Sequence, residues 1–270
     1  MKSLLWTAAF VLALSAAAFA AKEAKEAAHP KEADFDREKD LISLHYDHAP
    51  DRDDGQSAAA DITILATEFE ANWIQRRVVA VSGAYGKNAR SFNSKSDAVM
   101  DAAFADYGGW IAAHRDHEAA VEELTKRWLA TLTAGGDVWV KEGGQSDITA
   151  AVVKNIQRQA PEIDTKKRIH TVQHSNWNEN QTTDAALAFA RRDTDYIRIK
   201  DGNAFLNIKG GNSAFEKAAA AHPKFGPAWK AAFAYYPPRH RLDFSDTCEL
   251  MHILGLGKIG VDAFRKRYLE

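Results

Sequence analysis

The chain has 270 residues, with 35 Lys and Arg against 37 Asp and Glu, and a formal net charge of −2 at pH 7. That balance excludes the basic footprint of a protein that binds nucleic acid or an anionic membrane surface. A single cysteine, Cys248, excludes an intrachain disulfide, so stability has to come from a hydrophobic core, for which the chain is long enough.

Residues 1–20 read as a signal peptide. Lys2 supplies a positive start, Leu4 to Leu14 an apolar stretch too short to span a membrane, and Ala18-Phe19-Ala20 a small-x-small cleavage site. The expected location is therefore periplasmic or secreted. Residues 21–40 are rich in Ala, Lys and Glu and poor in large apolar side chains, and are expected to form a polar leader. No other segment is long and apolar enough to be a membrane span, and residues 41–270 are expected to form one domain.

From residue 41 the pattern alternates. Strands are predicted at Leu41–Tyr46, Val78–Ser82, Asp137–Lys141, Ile169–Gln173 and Tyr196–Ile199, each rich in β-branched or aromatic residues. Helices are predicted at Ser57–Ala71, Ser96–Trp110, His117–Leu132 and Thr149–Gln159, then at Ser213–Tyr235 and Ser245–Leu256. Such alternation implies an α/β fold with an open, mostly parallel sheet and helices on both faces. The five predicted strands each run into a polar, small-residue cluster, and in a parallel sheet these clusters share one edge, where open α/β sheets bind ligands.

The first cluster carries the most chemistry. Asp47, Asp51, Asp53 and Asp54 fall within eight residues at a strand-to-helix turn. Carboxylates this crowded raise one another's pKa unless a positive charge relieves them. A hard divalent cation such as Ca²⁺ or Mg²⁺ is one relief; the alternative is a solvated acidic turn in which Asp54 or Ser57 caps the next helix. The loop is not an EF-hand, because taking Asp51 as its first position puts Gly55 at a ligand position.

Asp47-His48-Ala49-Pro50-Asp51-Arg52-Asp53-Asp54 resembles the N-terminal signature of nucleoside hydrolases, D-x-D-P-x-x-D-D. With Gly55-Gln56-Ser57 it is still more similar to the related sugar- or cellulose-associated branch, whose pattern is D-x-G-x-D-x-D-D-x-Q-S. Gly83-Ala84-Tyr85-Gly86, Gly143-Gly144-Gln145-Ser146-Asp147 and Phe244-Ser245-Asp246-Thr247-Cys248 extend the likeness over most of residues 41–256. The resemblance implies a nucleoside hydrolase-like, Rossmann-like fold. It also implies a Ca²⁺ held by Asp47, Asp54 and Asp246 with a donor near Ser146, and a water that attacks an anomeric carbon. Ala49 stands where the family has its second acid, with Asp51 as the substitute, and Ser245 stands where the family has a histidine.

An N-glycosidic bond breaks through an oxocarbenium-like state, so its site needs an activated water and groups that tolerate positive charge on the sugar. On that reading Asp53 takes the water's proton, while Asn176, Trp177, Asn178 and Glu179 on the fourth loop contact the sugar. His174 or His48 could protonate the leaving group, and a purely structural role is the alternative for both. The Pro-stiffened stretch Tyr235-Tyr236-Pro237-Pro238-Arg239-His240-Arg241 either overhangs the pocket or is a plain connection. His114 and His117 lack the H-E-x-x-H spacing, no phosphate-binding glycine fingerprint or G-x-S-x-G elbow is present, and Cys248 reads as core. The expected partner is a small sugar or nucleoside-like molecule, and nothing argues against a homo-oligomer. Two functions follow: metal-dependent hydrolysis of a ribosyl or related N-glycoside, or carbohydrate binding without turnover. A metal-dependent phosphoesterase would need more histidines beside the acids.

Overall fold

A computed structural model describes residues 34–48, 52–83, 86 and 87, and 94–270. The signal segment, most of the leader, Asp51 and parts of the loop after the second strand lie outside the described residues. One compact unit covers Ala33–Glu270.

Six parallel strands form the sheet, in the order β3-β2-β1-β4-β5-β6. They are β1 Leu41–Tyr46, β2 Val78–Ser82, β3 Ile111–Ala112, β4 Val138–Gly143, β5 Ile169–Gln173 and β6 Asp195–Arg198. In chain order the helices are α1 Asp54–Glu68, α2 Ala71–Arg77, α3 Asp97–Phe104, α4 His117–Thr133, α5 Asp147–Gln159, α6 Thr165–Arg168, α7 Asn176–Gln181 and α8 Asp184–Asp193. There follow α9 Asn203–Leu206, α10 Ser213–Ala221, α11 Gly226–Tyr235, α12 Thr247–Ile253 and α13 Val261–Tyr268, with an antiparallel pair β7 Asn207–Lys209 and β8 Arg241–Asp243. None of the helices among the described residues is long and apolar enough to cross a membrane.

Period-two alternation divides the core into two layers. Ile42, Leu44 and Tyr46 of β1, with Ala80 and Trp139, face α1, α3, α11, α12 and α13. Leu41, Val79, Val81, Val138 and Val140 face Leu124 and Trp128 of α4, and Val152, Val153 and Ile156 of α5. This is the open α/β architecture expected from the alternating pattern. The expected helix Ser213–Tyr235 is two helices, broken around Pro223, which cannot continue the first. The expected strand Asp137–Lys141 runs on to Gly143, so Glu142 and Gly143 are sheet residues and not loop.

The leader ends earlier than its composition suggests. Phe35 meets Trp73 and Trp139 edge to face, and the buried Asp40 accepts from Asp137 N at 2.8 Å and Trp139 Nε1 at 3.0 Å. Residues 34–40 therefore belong to the domain, clamped over the start of β4.

The chain leaves β1 toward β2 on one side of the sheet and leaves β4 toward β5 on the other. Their C-terminal ends are level, with Tyr46 paired to both Ser82 and Gly143. The loops after β1 and β4 thus diverge and open a crevice at the topological switch point.

Replacing Asp40 by Ala leaves a backbone N–H and an indole N–H without their acceptor. Chemical denaturation is expected to show a loss of about 2 kcal/mol, and a change below a few tenths of a kcal/mol would contradict the clamp.

Candidate functional site

The described part of the acidic loop lies at the switch-point crevice, and Asp47, Asp53 and Asp54 are buried. Asp47, Asp53 and Asp54 are each less than a tenth exposed, which rules out a solvated acidic turn for them. Asp54 does not cap its own helix. It is the first residue of α1, and its Oδ2 reaches back to accept from the backbone N–H of Asp47 at 3.1 Å and of His48 at 2.8 Å. The carboxylate grips the loop that precedes it. Gln145, from the loop after β4, donates to Asp47 Oδ2 across the crevice.

The segment carrying Asp246 is brought here by the two residues that end the acidic motif. Gln56 Nε2 donates to the carbonyls of Tyr236 at 3.0 Å and Arg241 at 3.2 Å, while its Oε1 accepts from Asp243 N at 2.8 Å. Ser57 Oγ donates to Asp246 Oδ2 at 3.3 Å, and Thr247 Oγ1 donates to the Ser57 carbonyl at 3.3 Å. Gln56 and Ser57 thereby fasten residues 236–247 to the start of α1.

His174, at the end of β5, completes this side. Its Nε2 lies 2.8 Å from Asp246 Oδ1 and its Nδ1 3.2 Å from Asp201 Oδ1, and its backbone N–H donates to Glu249 Oε1 at 2.9 Å. A histidine from β5 thus stands beside Asp246, although the late motif itself has Ser245. Burial alone would lower the imidazole's pKa, but the hydrogen bonds to Asp201 and Asp246 raise it to about 10. Burial likewise opposes ionisation of Asp246, yet His174 and Lys141 keep it at about 2.

Lys141 was not among the expected site residues. It is wholly buried on β4, with Nζ 3.4 Å from Asp61 Oδ2 and 4.2 Å from the centre of the Tyr46 ring, whose hydroxyl donates to Asp61 at 2.7 Å. Burial would lower its pKa, but Asp61, Asp246, Asp54 and Glu249 together raise it above the ordinary lysine value. Gly143 makes room for it: a Cβ there would collide with the ammonium and come within 2.7 Å of the His45 carbonyl. The sequence signal was a lysine inside a β-rich run, which reads equally well as a polar strand end.

Two buried carboxyls around this charge are pushed up. Burial, then Asp47 and Asp246, push Asp54 well above the usual carboxylate range, and burial pushes Glu249 up to about 8. Asp54 Oδ1, Glu249 Oε2 and Ser146 Oγ are buried with no hydrogen-bond partner. The Ser146 carbonyl accepts from Ala150 N at 2.9 Å, so its hydroxyl is the open oxygen.

A divalent cation would fit this oxygen-rich set in charge and in the hardness of its oxygen donors. Among the described residues no three His, Cys, Asp or Glu side chains are already gathered into a metal-holding group. Asp51 lies outside the described residues.

The sugar-contact candidates divide. Residues 176–181 form helix α7, where a loop was expected, with Ser175 Oγ accepting from the N–H of Trp177 and Asn178. Asn176 Oδ1 accepts from Arg198 at 2.6 Å, and Asn178 is buried. The Glu179 carboxylate is committed to Arg191 at 2.8 Å and Tyr196 at 3.0 Å, which makes it a brace for α7. Trp177, 39% exposed, is the exposed large hydrophobic side chain among the described residues.

His48 sits in the left-handed region at φ 51°, buried between the rings of Tyr46 and Tyr235, each centred 5.8 Å away. Neither ring nitrogen has a hydrogen-bond partner, and burial pushes its pKa down to about 3. Strained backbone and unpaired buried nitrogens concentrate at functional sites. Of the two histidines weighed as proton donors, His174 is the one whose pKa is raised.

The buried acids give stability a sign against pH. Glu249 titrates at its ordinary 4.5 when unfolded and at about 8 when folded, so its contribution is complete below pH 4.5 and lost as pH rises through 8. Unfolding in metal-free buffer should show wild-type stability falling by about 1 kcal/mol per pH unit from pH 5 to 8, with a shallower slope in Glu249→Gln; an unchanged slope would remove Glu249 from the cluster. In comparisons with known proteins, no family, no curated protein and no solved structure matches the chain.

Proposed function

We propose that this protein is a nucleoside hydrolase-like glycosidase that cleaves an N-glycosidic bond of a ribosyl or related sugar compound in the switch-point crevice, with the help of a divalent cation. The observation that supports the reading is that Asp54, which grips the Asp47 backbone, starts the helix whose Ser57 hydrogen-bonds Asp246, itself 2.8 Å from His174. A Ca²⁺ ion would be held by Asp47, Asp51, Asp54 and Asp246 with Ser146, and would supply acidity to the attacking water and grip on sugar hydroxyls.

The chain's own residues account for the rest. Asp53, at the foot of α1, takes the water's proton. Asp246 stays ionised and faces positive charge as it develops on the sugar, in the way carboxylates serve oxocarbenium-like states. His174 carries the proton for the departing group. Trp177 offers a face for a ring to stack on, and Asn176 and Asn178 offer amides to hydroxyls, with Glu179 bracing their helix. Export through the N-terminal segment belongs to the same proposal and rests on the sequence of residues 1–20. A second reading, carbohydrate binding without turnover, is favoured by Ala49 and Ser245 in the two substituted motif positions and by the exposed Trp177.

Thermal unfolding with Ca²⁺, Mg²⁺ or EDTA tests the cation. A rise of about 5 °C is expected at a hundredfold excess over Kd, and no rise in Asp54→Ala. No metal-dependent shift in the wild type would end the cation claim. A panel of p-nitrophenyl riboside and nucleosides tests the chemistry: turnover lost in Asp53→Ala supports hydrolysis, whereas none above background in the wild type leaves the binding reading.

A further inference from the structure

The polar cluster after β6, Lys200-Asp201-Gly202-Asn203, reaches the ring nitrogen of His174 that Asp246 does not. β5 and β6 run parallel, and Ile199 N continues their pairing by donating to the Gln173 carbonyl at 3.1 Å. The turn beyond is held in place by its own bonds. Asp201 Oδ1 accepts from the backbone N–H and the side-chain amide of Asn203, each at 2.9 Å. The Gly202 carbonyl accepts from Phe205 N at 3.0 Å and Leu206 N at 2.9 Å, which begins α9. A Cβ at Gly202 would collide with the Ser245 carbonyl and come within 2.8 Å of the Cys248 sulfur. The turn is therefore packed on the segment that carries Asp246, at a position with no room for a side chain.

The His174 side chain is 1% exposed and that of Asp201 58%. Nδ1 of the ring has two neighbours of opposite kind, Asp201 Oδ1 at 3.2 Å and the N–H of Gly202, whose nitrogen is also 3.2 Å away. A carboxylate accepts and a backbone N–H donates, while an imidazole nitrogen does either. Nδ1 therefore has a partner whether or not it carries a hydrogen, and the place of the ring does not depend on which form it takes. The contact is felt at its other end too, because the hydrogen bond from His174 holds the Asp201 carboxyl below the usual carboxylate range.

We propose that Asp201 is a positioning residue: with the Gly202 N–H it grips the His174 imidazole by Nδ1 and so keeps Nε2 beside Asp246, 2.8 Å away. An imidazole bonded at one nitrogen still turns about its side-chain torsions, whereas one bonded at both has a single orientation. A third group that orients a histidine in this way is the logic of the catalytic triads. That the orientation serves a departing group rests on the hydrolase reading above. The grip on the ring does not.

Two measurements on the full chain separate the grip from the chemistry. The first is NMR of the histidine rings after 15N labelling, with His174 identified by the signals that His174→Gln removes. The wild type is expected to show one set of sharp His174 signals, including a ring N–H protected from solvent. Asp201→Ala is expected to lose that protected N–H, and Asp201→Asn, whose amide oxygen still accepts, to keep it. A wild type without a protected ring N–H, or His174 signals unchanged in Asp201→Ala, would overturn the proposal. The second is turnover of a nucleoside. Asp201→Ala is expected to lower kcat about a hundredfold, the order that a misplaced group costs, with KM little changed. That loss is expected to vanish in a His174→Gln background, because Asp201 acts through the ring. An equal loss in both backgrounds would overturn the positioning role. An unchanged kcat in Asp201→Ala beside a loss in His174→Gln would overturn it too, and leave the hydrolase reading standing. Absence of turnover in the wild type would defeat the hydrolase reading alone, and the ring signals would still decide the grip.

Discussion

The ammonium of Lys141 is the charge on which the crevice depends. The carboxyl side chains of Asp47, Asp54, Asp61, Asp246 and Glu249 are among those buried around the C-terminal ends of β1 and β4. Carboxylates in that number cannot all ionise away from water without fixed positive charge. Lys141 on β4 and His174 just after β5 stand beside these acids, and the result is uneven. Asp246 is held low by the two cations, while Asp54 and Glu249 are pushed up. Neighbouring acids whose pKa values are pushed apart are what acid–base chemistry at one site requires. The sheet creates the division by fixing which acid lies nearest a cation.

Much of the frame was legible because it depends on local pattern. Leu41–Tyr46, Val78–Ser82 and Ile169–Gln173 are strands over the residues expected, since each is a β-rich run bounded by polar, small residues. The misses come from residues whose role is set by distant neighbours. Glu142 and Gly143 read as loop because a carboxylate and a glycine seldom end a buried strand. Here Thr149 Oγ1 lies 2.9 Å from both Glu142 oxygens, and Gly143 shelters the lysine. Strand β3 has two residues and offers no period to detect.

The site was legible in its acids and illegible in its counter-charges. Crowding of Asp47, Asp53 and Asp54 is visible in the sequence, and the family resemblance pointed to Asp246. Nothing local distinguishes Lys141 from a solvated lysine, or His174 from a strand-end histidine. The roles of Gln56 and Ser57 were also hidden. They looked like the polar start of a helix, and they are the joint that brings the C-terminal third of the chain to the first loop. The metal expectation and the buried lysine answer the same electrostatic need, so a bound cation would add to a site already half neutralised by the protein itself.

Gly143 carries one more consequence. Its missing side chain is the space that the Lys141 ammonium occupies, against the carbonyl of His45. The two positions are therefore sterically coupled. A lineage that gains a side chain at 143 must shorten residue 141, and one that loses the lysine must also shed buried acids on α1 and α12 or fill the vacated charge with a metal ion. Descendants of this chain should change 141, 143, 61 and 249 together, and a drift in that quartet would mark a change of chemistry before any change in the acidic loop.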